Sequence, residues 1–354
     1  MQAPVADSID SETRYPPGAN TKCDIIRHFW ELPIRPEELA SGEINFEPYF
    51  HNYTLECLSA LQAGRKINVS THRHITNIAQ LLQVCCRQCI KEDLSSQLPR
   101  PLPANEEKNE DEILKSSINL ASRLFAMVHF GDLPHEHSNQ TRVPWTDGLL
   151  KDSVIKHFSK PPVLGDRVKL QKVFNARNLH QIAGIEIYWT SNLADHLRMM
   201  EDDKKVAIFH YDSFLEIHNK KDGLLFPKGF VEETRHTLAL LLPSGPETRK
   251  WFRKQQASQN YKLDPKVIEC GRLTADERQI ENFMFWRDRL VILKQAFDEA
   301  TPGNVSQWWW DRRNWVQWYT FWVAAIVLFL TIFFGLLQCI EGAIQAYKAL
   351  VPTQ

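Results

Sequence analysis

Apolar positions fall into helical spacing over most of the chain. Across residues 74–94, Ile75, Ile78, Leu82, Cys85 and Cys89 recur at intervals of three and four, which predicts one amphipathic helix. Leu114, Ile118, Ala121, Phe125 and Val128 form a second stripe, with Asn109 and Glu112 placed to cap its start and Gly131 to stop it. Shorter helices are expected over about 149–158, 228–242 and 246–256. A last soluble helix, 276–299, carries Phe283, Trp286, Leu290, Leu293 and Phe297, and the preceding TADE (274–277) reads as its capping box. Two stretches break this period. IEIYWT (185–190) alternates, and KVAIFHY (205–211) is rich in β-formers. A helix ending at Gly184 precedes the first, and a short capped helix in SNLADHL lies between them. The expected fold class is therefore mainly α, a helical region with a small two-stranded β element.

Composition along the chain suggests boundaries. Residues 1–20 are polar and Pro-containing and are expected to be disordered, and 21–95 form an N-terminal helical region. SQLPRPLPANEEKNEDE (96–112) reads as a Pro-rich acidic linker. Residues 113–303 form a helical domain that holds the β element, with a loop at 132–148, and Pro302 and Gly303 end it.

The next pattern has no soluble counterpart. Residues 318–340 contain no charge and thirteen Val, Ile, Leu or Phe side chains. A helix of that length spans roughly 34 Å, against a hydrocarbon core of about 30 Å. Its aliphatic and Phe side chains favour insertion by about 4 to 8 kcal/mol. One transmembrane helix is expected there. Six of the eleven tryptophans crowd residues 307–322, before or at its entry. Trp and Tyr prefer the headgroup zone, where a ring meets lipid and an N–H or O–H meets water. Trp308, Trp309, Trp310, Arg312, Arg313, Trp315, Trp318, Tyr319 and Trp322 are the expected interface anchors, with 304–317 an interfacial segment and 341–354 a short tail. Arg312 and Arg313 precede the span and only Lys348 follows it, so the positive-inside rule places the N-terminal region in the cytosol. The N-terminus has neither a basic n-region nor an apolar h-region, so no secretory signal is expected. These features predict a single-pass, tail-anchored membrane protein. The long span and near-neutral tail favour the endoplasmic reticulum or secretory pathway over the mitochondrial outer membrane. On the far face, Ala324, Thr331, Gly335, Gln338, Gly342 and Gln345 share one stripe, and Gly335, Gln338 and Gly342 are the expected helix–helix contact of a homo-oligomer.

Charge and candidate chemistry add little to this picture. The formal net charge is −1, so no global field favours nucleic acid, and none is expected as a partner. Seven cysteines without scaffold spacing point to a reducing compartment. CCRQC (Cys85, Cys86, Cys89), near His72 and His74, has metal or redox residue types. Cys85 and Cys89 lie on the apolar stripe and no second CxxC pair occurs, so core packing is expected. His135 and His137 lack a third ligand and read as loop residues. Glu233 and His236 make a single ExxH pair, where a di-iron site needs two, and a surface pair is expected. Asp195 and His196 sit near Glu201, Asp202 and Asp203 without any nucleophile motif, and His196 is expected to pack under the strands. RKWFRK (249–254) reads as a solvated helix face, with contact to anionic lipid as its second reading. Neither GxxxxGK nor GxGxxG occurs. No catalytic, cofactor-binding or metal-binding residue is assigned.

Three stretches carry a resemblance: GIEIYWTSNLADHL (184–197), the VAIFH that follows, and WWWDRRNWVQWYTFWVAAIVLFLTIFFGLLQCIEGAIQAY (308–347). Together they resemble a family of filamentous-fungal proteins with a helical cytosolic part, one C-terminal transmembrane helix and no assigned activity. The resemblance covers roughly 165–350 and implies an architecture without a mechanism. The leading expectation is a membrane-anchored interaction or scaffold protein, whose partners are the lipid bilayer and cytosolic proteins. A second is an oligomeric ion-conducting protein. The long helix leading into a membrane segment is similar to CorA-type channels, but those carry two spans and a Gly-Met-Asn triplet, which this chain lacks. A third is an enzyme with a site around His196, His210 and the carboxylates of 201–203.

Overall fold

A computed structural model describes residues 7–41, 45–62, 67, 69–97, 107–131, 140–165, 168–221, 223–258, 262–300 and 315–350. Met1–His180 with Ile185–Glu299 form one compact unit, and Gln181–Gly184 with Ala300–Gln354 are grouped as a second. The described residues are mainly helical, as the spacing predicts.

The first unit opens with α1 (Ala19–Trp30), α2 (Pro36–Ser41), α3 (Glu47–Gln62) and α4 (His72–Val84). Then come α5 (Arg87–Gln97), α6 (Glu107–Ala126), α7 (Leu150–Phe158) and α8 (Ala176–Gln181). Trp30 joins several of them. Its ring stacks on Phe46 and meets Tyr49 and Phe214 edge-on, and its indole N–H donates to the Phe125 carbonyl at 3.3 Å. Helices α3 and α4 both pack on α6, so the regions 21–95 and 113–299 share one core across the Pro-rich segment. Of the expected linker, residues 98–106 lie outside the described residues, while Gln97 still belongs to α5 and Glu107 already to α6.

Within the expected disordered N-terminus, residues 7–18 are ordered. The Asp7 carboxylate accepts from the Asn20 N–H at 2.8 Å and from the Thr21 N–H and hydroxyl at 3.0 and 2.8 Å. It thereby caps α1 from outside the helix. A Cβ on Gly18 would stand 2.3 Å from the Asp7 carboxyl carbon, so this approach needs glycine. Polar composition did not mean disorder here, because the polar groups bond to a helix end.

The single helix expected over 74–94 is two. Cys85 is extended (φ −109°, ψ 148°), Cys86 pairs with Leu149 as an isolated bridge, and the Arg87 N–H donates to the Gly148 carbonyl at 3.0 Å. Backbone bonding to 148–149 thus replaces the helical bonds at the break. Ile75, Ile78 and Leu82 are core, as are Ile90 and Leu94, but Cys85 is half-buried and Cys89 exposed.

The β element has three strands where two were expected: β1 (Glu186–Thr190), β2 (Met199–Met200) and β3 (Lys205–Phe209), in the order β1-β3-β2. The two strands read from sequence pair with each other in parallel, Glu186 opposite Lys205 and Thr190 opposite Phe209. The addition, β2, is two residues long and antiparallel to β3, too short to leave a pattern. Between β2 and β3, Glu201, Asp202 and Asp203 hold φ of 54°, 52° and 62°.

Helices α9 (Asp212–Lys220), α10 (Phe230–Leu241), α11 (Pro246–Ser258) and α12 (Arg287–Glu299) complete the unit, with 3-10 turns at Leu193–Asp195, Pro265–Glu269 and Ile280–Asn282. The helix expected over 276–299 begins only at Arg287. Its capping-box bonds do form: the Thr274 N–H donates to the Glu277 carboxylate at 2.6 Å, and the Glu277 N–H to the Thr274 hydroxyl at 3.4 Å. The chain then bonds sideways, with the Ile280 N–H reaching the Val168 carbonyl and the Leu170 N–H the Arg278 carbonyl. Phe283 and Trp286 are buried nevertheless.

Helix α12 takes its start from Glu233, a buried side chain on α10. Its carboxylate accepts the N–H groups of Met284, Phe285 and Trp286, each at 2.8 Å. These donors lie in the turn ahead of Arg287, with Trp286 at the N-cap of α12. Glu233→Ala should lower the unfolding free energy in urea by roughly 2–4 kcal/mol, because three donors, that of Trp286 buried, lose their shared acceptor. A change below about 0.5 kcal/mol would mean that α12 begins without this carboxylate.

Candidate functional site: an uncovered apolar helix

The second unit holds α13 (Trp315–Leu350), 36 residues long. Its stretch Trp318–Tyr347, 30 residues, contains an 18-residue window of mean hydropathy 2.6, and none of that window is buried. It is the one helix among the described residues that is long and apolar enough to cross a membrane. A core helix of a soluble protein passes the same length test but is buried. Here Phe329 is 66% and Leu328 62% exposed. Helical bonding continues past Ile340 through Glu341 to Leu350, so most of the expected tail 341–354 is helix.

The expected anchors are only partly described. Trp308, Trp309, Trp310, Arg312 and Arg313 lie outside the described residues, and Trp315 opens α13. Trp318 and Trp322 stand one turn apart with ring centroids at 6.4 Å, and Tyr319 is exposed. Gly335, Gln338 and Gly342 share one face, as three- and four-residue steps on a helix require. A Cβ at Gly335 or Gly342 would meet nothing within 4 Å, so among the described residues no contact calls for glycine there.

The histidine and carboxylate groups of the enzyme reading do not converge. His196 is fully buried. Its Nδ1 accepts the Phe209 N–H at 3.1 Å, which leaves Nε2–H to donate to the Thr237 hydroxyl at 2.7 Å. Thr237 in turn donates to the Thr234 carbonyl. The ring also meets Trp286 edge-on, so His196 packs under the strands as expected. His210 is buried and accepts the Asp264 N–H at 3.2 Å. Glu201, Asp202 and Asp203 are exposed in their turn. Asp195 ties loops together: it accepts the Thr141 N–H at 2.9 Å, the Asn192 amide at 2.8 Å and the Arg198 guanidinium at 2.7 Å.

The other motifs divide. His135 and His137 lie outside the described residues. Glu233 is a buried helix cap and His236 is exposed, so they are not the surface pair expected. In 249–254 the two aromatics, Trp251 and Phe252, are buried, while Arg249, Lys250, Arg253 and Lys254 line a shallow cavity with Ser244, Gly245 and Pro246. Among the described residues, no group of three His, Cys, Asp or Glu side chains gathers as a metal site. Cys86 and Cys89 depart from the packing role expected of them. Their sulfurs stand 2.8 Å apart at the start of α5. The CxxC spacing was the available signal, and the apparent stripe through Cys85 and Cys89 concealed it.

No family model, curated protein or solved structure matches this chain.

Burial has an electrostatic consequence. It pushes the rings of His196, His210 and His218 down to about 3, with Arg289 adding to the effect at His196 and Lys221 at His218. A depressed histidine is neutral in the fold and protonated in the unfolded chain, so its contribution is present above pH 6.5 and is lost as pH falls toward 3. Asp264 acts oppositely. Burial raises its carboxyl to about 6 despite the N–H donors of Ser213 and Lys266, so the fold takes up its proton first. Burial also lowers His72 and His157 to about 4, so at roughly 1 kcal/mol per histidine the five rings outweigh Asp264. Urea unfolding at pH 5.5 should give a stability on the order of 4 kcal/mol below that at pH 7.5. A stability that stays flat over this range would show that the rings are not held neutral.

Proposed function

We propose that this chain is a membrane-anchored interaction protein, with its folded unit held at the cytosolic face of a bilayer by α13. The observation that carries the reading is the apolar stretch Trp318–Tyr347, whose most hydrophobic window is not buried by any of the described residues. Water makes such exposure costly, and lipid removes the cost. Trp318, Tyr319 and Trp322 suit the headgroup level at its entry. Arg312 and Arg313, ahead of the span, support the cytosolic orientation, and the strongly apolar helix supports the endoplasmic reticulum or secretory pathway. An adaptor role is favoured because the buried histidines and carboxylates serve as internal ties rather than as a convergent site open to substrate.

The full-length chain should pellet with cell membranes, resist alkaline carbonate and dissolve in detergent. A chain ending at Glu299 should remain in the supernatant. Recovery of the full-length chain in the supernatant without detergent overturns the proposal.

Self-association through α13 belongs to the same reading, with the open face at Gly335 and Gly342 as its support. Replacing Gly335 and Gln338 by Leu should reduce crosslinked dimer in membranes several-fold. An unchanged yield from a confirmed wild-type dimer removes this part of the reading.

A further inference from the structure

The break between α4 and α5 creates a local geometry that a continuous helix would not have. The Ile90 N–H donates to the Cys86 carbonyl at 3.0 Å, the first helical bond of α5, so Cys86 stands at the N-cap and Cys89 at the third helical position. The Cys89 N–H donates to Cys86 Sγ at 3.4 Å, as an N-cap side chain accepts from the third position. The two sulfurs approach to 2.8 Å, about 0.75 Å longer than a covalent S–S bond of about 2.05 Å. Backbone pairing of Cys86 with Leu149, and the bond from the Arg87 N–H to the Gly148 carbonyl, fix the N-cap end. The Arg87 guanidinium is turned to Asn119 and the face of Trp145. Cys86 is half-buried and Cys89 exposed, so solvent reaches the pair.

We infer that Cys86 and Cys89 form a redox-active dithiol site that exchanges with low-molecular-weight disulfides of the glutathione type. This goes beyond the anchoring function and does not depend on it. The Cys89 N–H donates to Cys86 Sγ at the helix N-cap, where a thiolate is favoured, and the contact between the two sulfurs holds the Cys86 thiol below the ordinary range and that of Cys89 above it. Cys86 is therefore the attacking sulfur and Cys89 the resolving one. In the first step the Cys86 thiolate, its proton released to water, attacks one sulfur of the disulfide. A Cys86–sulfur bond forms, the original S–S bond breaks, and one thiolate leaves and takes up a proton. Cys89 then loses its proton and attacks Cys86 Sγ. The Cys86–Cys89 bond forms, and the second small thiolate leaves and is protonated. Two electrons pass from the dithiol to the disulfide, which is reduced to two thiols.

The test is to equilibrate the full-length protein, in detergent, with glutathione buffers of rising oxidised fraction, then quench in acid, alkylate and analyse by mass spectrometry. The segment holding Cys86 and Cys89 should become two hydrogen masses lighter and lose alkylation at both sites, and dithiothreitol should restore both. Cys89→Ser should stop at one glutathione adduct on Cys86, and Cys85→Ser should leave the transition unchanged. The wild-type result stands even if a variant fails to fold. The inference is overturned if both thiols stay alkylatable in the most oxidising buffer, if each carries its own glutathione, or if the bond that forms joins Cys85 to Cys86.

Discussion

An apolar helix leaves water only when something covers it, and the most hydrophobic window of α13 has no cover among the described residues. Burial is worth about 25 cal/mol per Å² of apolar surface, so some thirty residues of this composition represent a large unmet gain. The unit ending at Glu299 meets its own demand internally, around Trp30 and around a second aromatic group in which Phe158, Phe230 and Trp286 touch. The first unit therefore has a covered core, whereas the apolar window of α13 is exposed.

That covered core depends on buried polar groups finding partners at places where the helices change direction. Glu233 holds the turn that leads into α12, and Asn192 holds the turn before β2 by accepting from Ala194 and donating to Asp195. His196 links the end of β3 to α10 through Thr237. An unpaired polar group at any of these sites would cost more than the bond contributes when made. These side chains resemble catalytic groups in type alone. Both ring nitrogens of His196 are engaged by the protein itself.

Elements with a long, unbroken period were legible from the residues. The stripe of α6 from Leu114 to Phe125 and the uncharged run of α13 lie on helices as periodicity places them, although α6 starts at Glu107, ahead of the expected Asn109 cap, and ends at Ala126, short of Val128 and Gly131. What misled was spacing that a helix and a non-helical segment can share. Ile75 to Cys89 keeps three-and-four intervals across a break, because the competing bonds come from 148–149, some sixty residues away. TADE makes its capping-box bonds yet opens no helix, because 168–170 claims the backbone that follows. Such long-range competition leaves no mark in a local window. The dithiol was hidden by the same error: on one continuous helix Cys89 would have continued the apolar stripe, whereas at the start of a new one it faces Cys86.

The continuation of α13 beyond Glu341 bears on what would emerge from the far leaflet. From Trp322 to Glu341 the helix rises nineteen steps, about 28 Å, comparable with a hydrocarbon thickness of about 30 Å. The helix then runs on through Leu350. Those last turns, about 14 Å in length, would project through the headgroups as a stiff post carrying Tyr347 outward. A molecule on that side would meet a preformed surface, and would not have to spend entropy ordering a loose strand.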